Sequence, residues 1–177
     1  MSVAEYYTYE DYFQWEGNWE LIKGLPLEIF SHTIIHQSLM GNILFELNNS
    51  IEKNNEFLVV AGVDWKISNN TVLRPDIVIA YNKTNEAYIT KAPEIIVEVI
   101  SKSTAKRDEV HKFKIYEEEK VKYYVIVYPN DLKAKVYRLE GNNYTKEGDF
   151  SLETYDFEET TCKASVNFAN VFERFRK

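Results

Sequence analysis

The sequence has 177 residues, of which 45% are hydrophobic and 28% are charged, and its formal net charge is -7. This length and composition are typical of a single globular domain over residues 1–177 and argue against a disordered chain. The acidic surplus works against strong nonspecific attraction to nucleic acid, because phosphate binding depends on clustered Lys and Arg. An aromatic content of 15% favours extensive β-structure.

Signals for secretion or membrane insertion are not visible in the sequence. The single Cys162 cannot form an intramolecular disulfide, and no Cys/His spacing indicates structural zinc. The amino terminus lacks a basic region followed by an apolar run, and no apolar stretch approaches the roughly 20 residues that span a bilayer. We therefore expect a cytoplasmic protein without membrane contact.

Apolar and aromatic residues recur along the chain with the spacings of helices and strands. The predicted elements are a short helix after Thr8, two strands within 19–29, a long helix over 33–53, strands over 57–61, 63–67, 77–81 and 95–100, a helix over 104–118, a strand over 123–128, a hairpin around Gly141 and a short helix over 166–174. Glu20 lies near the start of the first strand. No repeat or linker interrupts this order, so the sequence predicts one α/β domain.

A pair of histidines and a group of basic residues each have both a functional and a structural interpretation. His32 and His36, four residues apart, could share a metal, but a helix cap and a surface position are favoured because no acidic general base lies nearby. The basic residues after strand 95–100 could bind nucleic acid, but a solvated helix face is favoured. These residues are Lys102, Lys106, Arg107, Lys112 and Lys114.

Two acidic residues stand in strongly apolar surroundings. Pro75 cannot donate to a sheet ladder, so it should begin its strand and leave Asp76 at the strand mouth. The run 95–100 is apolar on both faces except at Glu98, which predicts a central strand. An ionised carboxylate there costs several kcal/mol to bury unless a metal, a lysine or several donors contact it. A structural ion pair and a metal site are about equally consistent with these residues.

The two carboxylates and a strand carbonyl would form a hard, oxygen-rich donor set that suits Mg²⁺ or Mn²⁺. Such a metal lowers the pKa of bound water. Lys112 is the best candidate for a lysine beside the metal, because Asp108 and Lys112 lie at i and i+4 on the following helix. The alternative is an ordinary helical ion pair.

Several motifs occur together in a characteristic order: ELIKG at 20–24, RPDIVI at 74–79, APEIIVEVIS at 92–101, Ser103-Thr104, Asp108, Lys112, Tyr116 and Tyr123-Tyr124. In this order the chain resembles the Uma-two family of restriction endonucleases, which belongs to the PD-(D/E)XK nuclease superfamily. The resemblance extends to about residue 130. It is specific as a combined pattern, although each motif alone is weak.

The resemblance implies a restriction endonuclease-like core, which is a mixed sheet flanked by helices. It also implies that the protein hydrolyses phosphodiester bonds. It implies Asp76 and Glu98 as metal ligands, with Glu20 completing the acidic cluster. The superfamily lysine normally follows two residues after the acidic residue, where this chain has Ile100. The family's lysine lies on the next helix, which indicates Lys112, with Lys114 as the substitute.

Two departures from the family pattern are visible. Lys23 stands where the family usually has aspartate, and Lys102 stands where it usually has proline. Neither departure removes an expected ligand.

The sequence therefore predicts a Mg²⁺- or Mn²⁺-dependent endonuclease that acts on nucleic acid, with DNA as the expected substrate, and works as a homodimer. The expected catalytic residues are Glu20, Asp76, Glu98 and Lys112. The alternative is a noncatalytic nuclease-fold domain with a binding or scaffold role. The net charge of -7 and the lack of a DNA-reading module favour this alternative.

Overall fold

A computed structural model describes residues 5–29, 33–51, 56–82, 86–101 and 104–176. The α-helices are Tyr9–Tyr12 (α1), Ile34–Ser50 (α2), Phe113–Glu118 (α3) and Phe168–Phe172 (α4), with a π-helix at Arg107–Lys112 and 3₁₀ turns at Pro129–Asp131 and Glu173–Phe175. The strands are Trp19–Ile22 (β1), Leu25–Glu28 (β2), Phe57–Ala61 (β3), Trp65–Ser68 (β4), Thr71–Leu73 (β5), Ile77–Tyr81 (β6), Ile95–Val99 (β7), Tyr123–Tyr128 (β8), Lys133–Glu140 (β9), Asn143–Phe150 (β10), Thr154–Asp156 (β11) and Ser165–Asn167 (β12). His32, Lys102 and Ser103 lie outside the described residues.

The central sheet has six strands in the order β10-β9-β8-β7-β6-β3. The β7–β8 pair is parallel and the other neighbouring pairs are antiparallel, so the sheet is mixed, as predicted. All five residues of β7 are buried. This burial confirms that the apolar run around Glu98 forms a central strand covered on both faces.

The two faces of β7 pack against different helices. Ile95, Val97 and Val99 share a core with the buried face of α2, while Ile96 shares the opposite core with Tyr116 of α3. Because side chains alternate along a strand, Glu98 points to the same face as Ile96. The sheet therefore places the Glu98 carboxylate beside α3 and the π-helix that precedes it.

A smaller sheet has the order β2-β1-β5-β4. β5, whose three residues are all buried, was not predicted from the sequence. β4 begins at Trp65, two residues after the start of the predicted strand. Three residues are too few to show strand alternation, and β5 ends just before Pro75, which favoured a connection. The segment that follows β5 leads directly from this sheet into β6 of the central sheet.

None of the helices in the described residues is long and apolar enough to cross a membrane.

Candidate active site

Asp76 and Glu98 lie opposite each other at one end of the β6–β7 pair. The antiparallel register joins Ile77 to Val97, and one step further it brings Asp76 to Glu98. The Asp76 amide donates to Glu98 Oε2 at 3.4 Å, and the Val99 amide donates to Asp76 Oδ2 at 2.7 Å. The two acidic residues expected as metal ligands therefore converge on one point.

Glu20 reaches the same point from the smaller sheet. Its side chain is fully buried, and its Oε1 accepts a hydrogen bond of 2.9 Å from the amide of Arg74. The same oxygen lies 2.8 Å from Lys112 Nζ. The chain between β5 and β6 thus holds Glu20 on one side and presents Asp76 on the other.

Lys112 lies between the carboxylates. Its Nζ is 2.8 Å from Glu98 Oε1 and 3.7 Å from Asp108 Oδ1, in addition to the Glu20 contact, and its side chain is only 2% exposed. Lys114, the substitute implied by the resemblance, is 72% exposed and pairs with Glu118. Lys112 is therefore the lysine that the fold brings to the acidic cluster.

The helix that carries Lys112 differs from the continuous α-helix predicted over 104–118, because Arg107–Lys112 is a π-helix. In an α-helix, side chains five residues apart point about 140° away from each other. A π-helix bonds residue i to i+5 and brings them close to the same face. Arg107 consequently faces inward with Lys112, and its Nη1 lies 3.5 Å from Glu20 Oε2.

The solvated helix face expected for the basic residues is therefore wrong for two of them. Lys112 is buried and the Arg107 side chain is only 18% exposed. Lys106 and Lys114 are exposed, as predicted. Periodicity could not locate Arg107, because the sequence carries no visible mark of the change from α to π winding.

His36 also belongs to the site, which contradicts the surface position favoured from the sequence. It is 4% exposed, and its Nε2 lies 3.2 Å from Asp76 Oδ2. A signal existed: His36 precedes Leu39 by three residues and Ile43 by seven, so it lies on the buried stripe of α2.

Tyr116 completes the surroundings of Glu98, since its hydroxyl donates to Oε1 at 2.7 Å. Burial raises the pKa of Glu98 to about 8, although the positive charge of Lys112 partly opposes that shift. Burial alone would lower the pKa of Lys112, but the carboxylates of Glu20, Glu98 and Asp108 raise it. The site therefore holds a permanently charged lysine beside a carboxyl group that ionises with difficulty.

Asp76 behaves differently from Glu98. Burial raises the pKa of its carboxyl group, but the hydrogen bonds from His36 and from the Val99 amide lower it, and the net shift is downward. Asp76 is therefore the more readily ionised of the two opposed acidic residues.

A cavity of about 250 Å³ opens onto this cluster. Its walls include the residues discussed above: Glu20, His36, Asp76, Glu98, Arg107, Asp108 and Lys112. Two buried oxygens there, Glu20 Oε2 and Asp108 Oδ1, accept no hydrogen bond from any described residue. The cationic atoms nearest to them, on Arg107 and Lys112, lie 3.5 to 3.7 Å away, which leaves room for a bridging water.

The fit of this cluster to a metal ion is partial. The described residues contain no group of three His, Cys, Asp or Glu already arranged to hold one. They do offer Asp76 and Glu98 as an opposed pair, and Mg²⁺ is commonly bound by one or two carboxylates while it keeps water and contacts substrate phosphate. The pair fits a hydrated Mg²⁺ or Mn²⁺. That Glu20 also ligates the ion stays a prediction, because its carboxylate faces Lys112 and Arg107.

The mixed sheet agrees with the core that the sequence resemblance implies. Residues 4–160 match the family described as "Uma2: Putative restriction endonuclease". The match covers most of the chain, and the protein belongs to this family of nucleases.

A solved structure supports the fold. The crystal structure titled as "a putative nuclease belonging to DUF820 from Anabaena variabilis" is similar to this chain with a TM-score of 0.75 and 12% sequence identity. The similarity covers 94% of this chain and 97% of that chain. At this identity the likeness establishes the fold alone. No curated protein shows a significant match to the sequence.

Proposed function

We propose that the protein is a metal-dependent endonuclease that hydrolyses phosphodiester bonds in DNA, with Mg²⁺ or Mn²⁺ as the cofactor. One observation carries the proposal: Asp76 and Glu98 are opposed at the end of the β6–β7 pair, Glu98 contacts a buried lysine, and both acidic residues line a cavity. This arrangement combines oxygen ligands with a fixed positive charge, which are the two requirements of metal-assisted phosphate hydrolysis.

In this proposal Asp76 and Glu98 hold the ion, which supplies activation of water and of a phosphate oxygen when bound. Lys112 stays charged and stabilises the negative charge that develops on the phosphate. Glu20 anchors Lys112 together with Glu98, since its Oε1 and Glu98 Oε1 both lie 2.8 Å from Nζ. Arg107 adds a second cation at the same wall.

A noncatalytic nuclease-fold domain is the second candidate. Lys112 and Tyr116 already contact Glu98 without any metal, and the described part of the chain has no preassembled three-ligand group. Both observations would also suit a structural ion pair.

An activity assay separates the two candidates. The purified protein is incubated with supercoiled plasmid, single-stranded DNA and RNA, in Mg²⁺, in Mn²⁺ and in chelator. We expect metal-dependent cleavage that falls about 100-fold or more in Asp76→Ala and Glu98→Ala. Glu118→Ala is the control, because Glu118 is 52% exposed and its ion pair is with the exposed Lys114. Cleavage that persists in both site variants would overturn the assignment, and no cleavage under any condition would favour the noncatalytic domain.

The homodimer expected from the sequence stays a prediction. A nuclease that cuts both strands of a duplex can use two sites related by a two-fold axis, which a symmetric dimer supplies. Light scattering on the purified protein measures the mass directly.

A further inference from the structure

A second cavity, of about 190 Å³, lies outside the mechanism proposed above. Four aromatic side chains and one ion pair are among its lining residues: Tyr12, Phe13, Trp15, Trp19, Asp64 and Arg74. We call it the aromatic cavity. Pockets for drug-sized ligands are roughly 300–1,000 Å³, so this volume suits a single planar ring system.

The rings of the aromatic cavity are held in place before any ligand arrives. Trp15 contacts Tyr12 and Trp19 edge to face, each at 5.7 Å between ring centroids. The Tyr12 hydroxyl donates to Asp64 Oδ2 at 2.9 Å and accepts from Arg74 Nη2 at 3.2 Å. Because these rings are already ordered, binding a ligand against them costs little conformational entropy.

Phe13 differs from the other rings. Tyr12 belongs to the small core under the amino-terminal segment, with Trp15 and Trp19 packed against it, so a packing role accounts for them. Phe13 is not part of that core and is 70% exposed. An exposed aromatic ring at the mouth of an aromatic-lined cavity offers a free face for stacking.

The aromatic cavity adjoins the active site at Arg74, which lines both cavities. Arg74 lies two residues before Asp76, and two residues of extended chain span at most about 7 Å. A strand with its phosphate at Asp76 can therefore pass beside the aromatic cavity.

The charge of the protein also favours stacking over backbone contacts. With a net charge of -7, the protein has little capacity to neutralise the phosphates of a duplex. Proteins that bind single strands gain affinity from base–aromatic stacking, which requires that the base be unpaired. One cation lies beside these aromatic rings. Lys66 Nζ is 3.6 Å above the ring of Tyr9, and that ring contacts the ring of Phe13.

We propose that the aromatic cavity binds an unpaired nucleobase of the strand whose phosphate occupies the active site, so that the substrate is single-stranded or locally unpaired nucleic acid. This inference rests on the proposed nuclease function for the position of the strand. It predicts a preference for single strands that depends on the ring of Phe13.

Fluorescence anisotropy tests the proposal with a fluorescein-labelled oligothymidylate, free or paired with oligoadenylate, in chelator and again with Ca²⁺. We expect the wild type to bind the single strand about tenfold more tightly than the duplex. Phe13→Ala should weaken single-strand binding roughly tenfold and duplex binding less than about twofold, whereas Phe13→Trp retains the preference. Phe45→Ala is the matched control, since Phe45 is 65% exposed on α2 and lines neither cavity.

The proposal would be overturned if the wild type bound the single strand and the duplex with equal affinity, or bound neither. It would also be overturned if Phe13→Ala left single-strand affinity unchanged, or if Phe45→Ala lowered it as much as Phe13→Ala. Parallel cleavage assays separate this failure from that of the nuclease function. If the protein cleaves plasmid but shows no preference for single strands, only the proposed base binding in the aromatic cavity is overturned. If it shows a Phe13-dependent preference but cleaves no substrate, base binding is supported and only the proposed nuclease function is overturned.

Discussion

Lys112 and Glu98 form an ion pair in which Nζ lies 2.8 Å from Oε1 and neither side chain is more than 4% exposed. Glu20 contacts the same ammonium at 2.8 Å, so one lysine contacts two buried carboxyl groups. Desolvating such a group costs several kcal/mol per ion, which mutual attraction only partly offsets. Removing one member would leave the others buried without their partner.

Replacing Lys112 should be far more damaging than replacing Lys114. Lys112→Met leaves Glu20 and Glu98 buried without their cation, and we expect the free energy of unfolding to fall by about 3–5 kcal/mol. Lys114→Met removes an exposed side chain and should change it by less than about 0.5 kcal/mol. Urea unfolding monitored by circular dichroism measures both. Similar losses in the two variants would show that Lys112 is not the buried partner of the acids.

Tyr116→Phe removes the hydroxyl that donates to Glu98 Oε1 at 2.7 Å. A hydrogen bond to a charged group contributes about 1.5–3 kcal/mol, and loss of an outer ligand contact weakens metal binding about tenfold or more. Tyr144→Phe is the control, because that hydroxyl donates to the carbonyl of Val121 at 2.9 Å, away from the cavity. Calorimetric titration with Mn²⁺ should show weaker binding in Tyr116→Phe only. Equal metal affinity in the two variants would contradict the site.

The stability of the metal-free protein should depend on pH through Glu98. Burial raises the pKa of its carboxyl group from 4.5 to about 8, so the neutral form is favoured in the folded state. The stability that this group contributes is fully present below pH 4.5 and is lost as the pH rises through about 8. The loss is at most about 1.4 kcal/mol per pH unit.

Glu98→Gln isolates that contribution, because its amide carries no titrating proton. Urea unfolding in chelator between pH 5 and pH 9 should show the wild type losing stability relative to Glu98→Gln as the pH rises. Parallel curves over that interval would mean that Glu98 is not a buried carboxyl with a raised pKa.

Metal binding should stabilise the folded protein without any need for substrate. At a free metal concentration of about 100 times Kd, mass action adds about 2.7 kcal/mol, or roughly 5–10 °C in Tm for a chain of this size. We expect this shift in the wild type and in Glu118→Gln, and its loss in Glu98→Ala. Glu20→Gln tests whether Glu20 is a third metal ligand. An unchanged Tm shift on metal binding would mean that Glu20 contacts Lys112 and does not bind the metal.

The strand-borne part of the site could be predicted from the sequence. Pro75 marks the approach to β6 and a lone acidic residue marks the apolar strand β7, which suffices to place Asp76 just before β6 and Glu98 on β7. Their juxtaposition then follows from the antiparallel register. Lys112 could be selected from its i, i+4 spacing to Asp108, because the π-helix still leaves both side chains facing inward.

Other parts of the site depend on geometry that local patterns do not encode. Arg107 enters the cavity through π winding, and Glu20 arrives by pairing of β1 with the short strand β5, a contact between distant segments. A functional role for His36 is disfavoured from the sequence because no acidic general base lies near it along the chain, whereas the fold brings Asp76 to it, and its position on the apolar stripe of α2 is visible in the sequence. The resemblance supplied Glu20, whereas only the fold shows that Glu20 contacts Lys112.

The rate of cleavage of a labelled DNA strand tests the central claim most directly, with the wild type, Asp76→Asn and Lys114→Met compared in Mg²⁺ and in chelator. We predict that the wild type and Lys114→Met cleave at the same rate with metal and do not cleave in chelator, while Asp76→Asn is slower by about 100-fold or more. Cleavage that survives chelator, or an Asp76→Asn rate equal to that of the wild type, would contradict a metal-dependent site at Asp76 and Glu98.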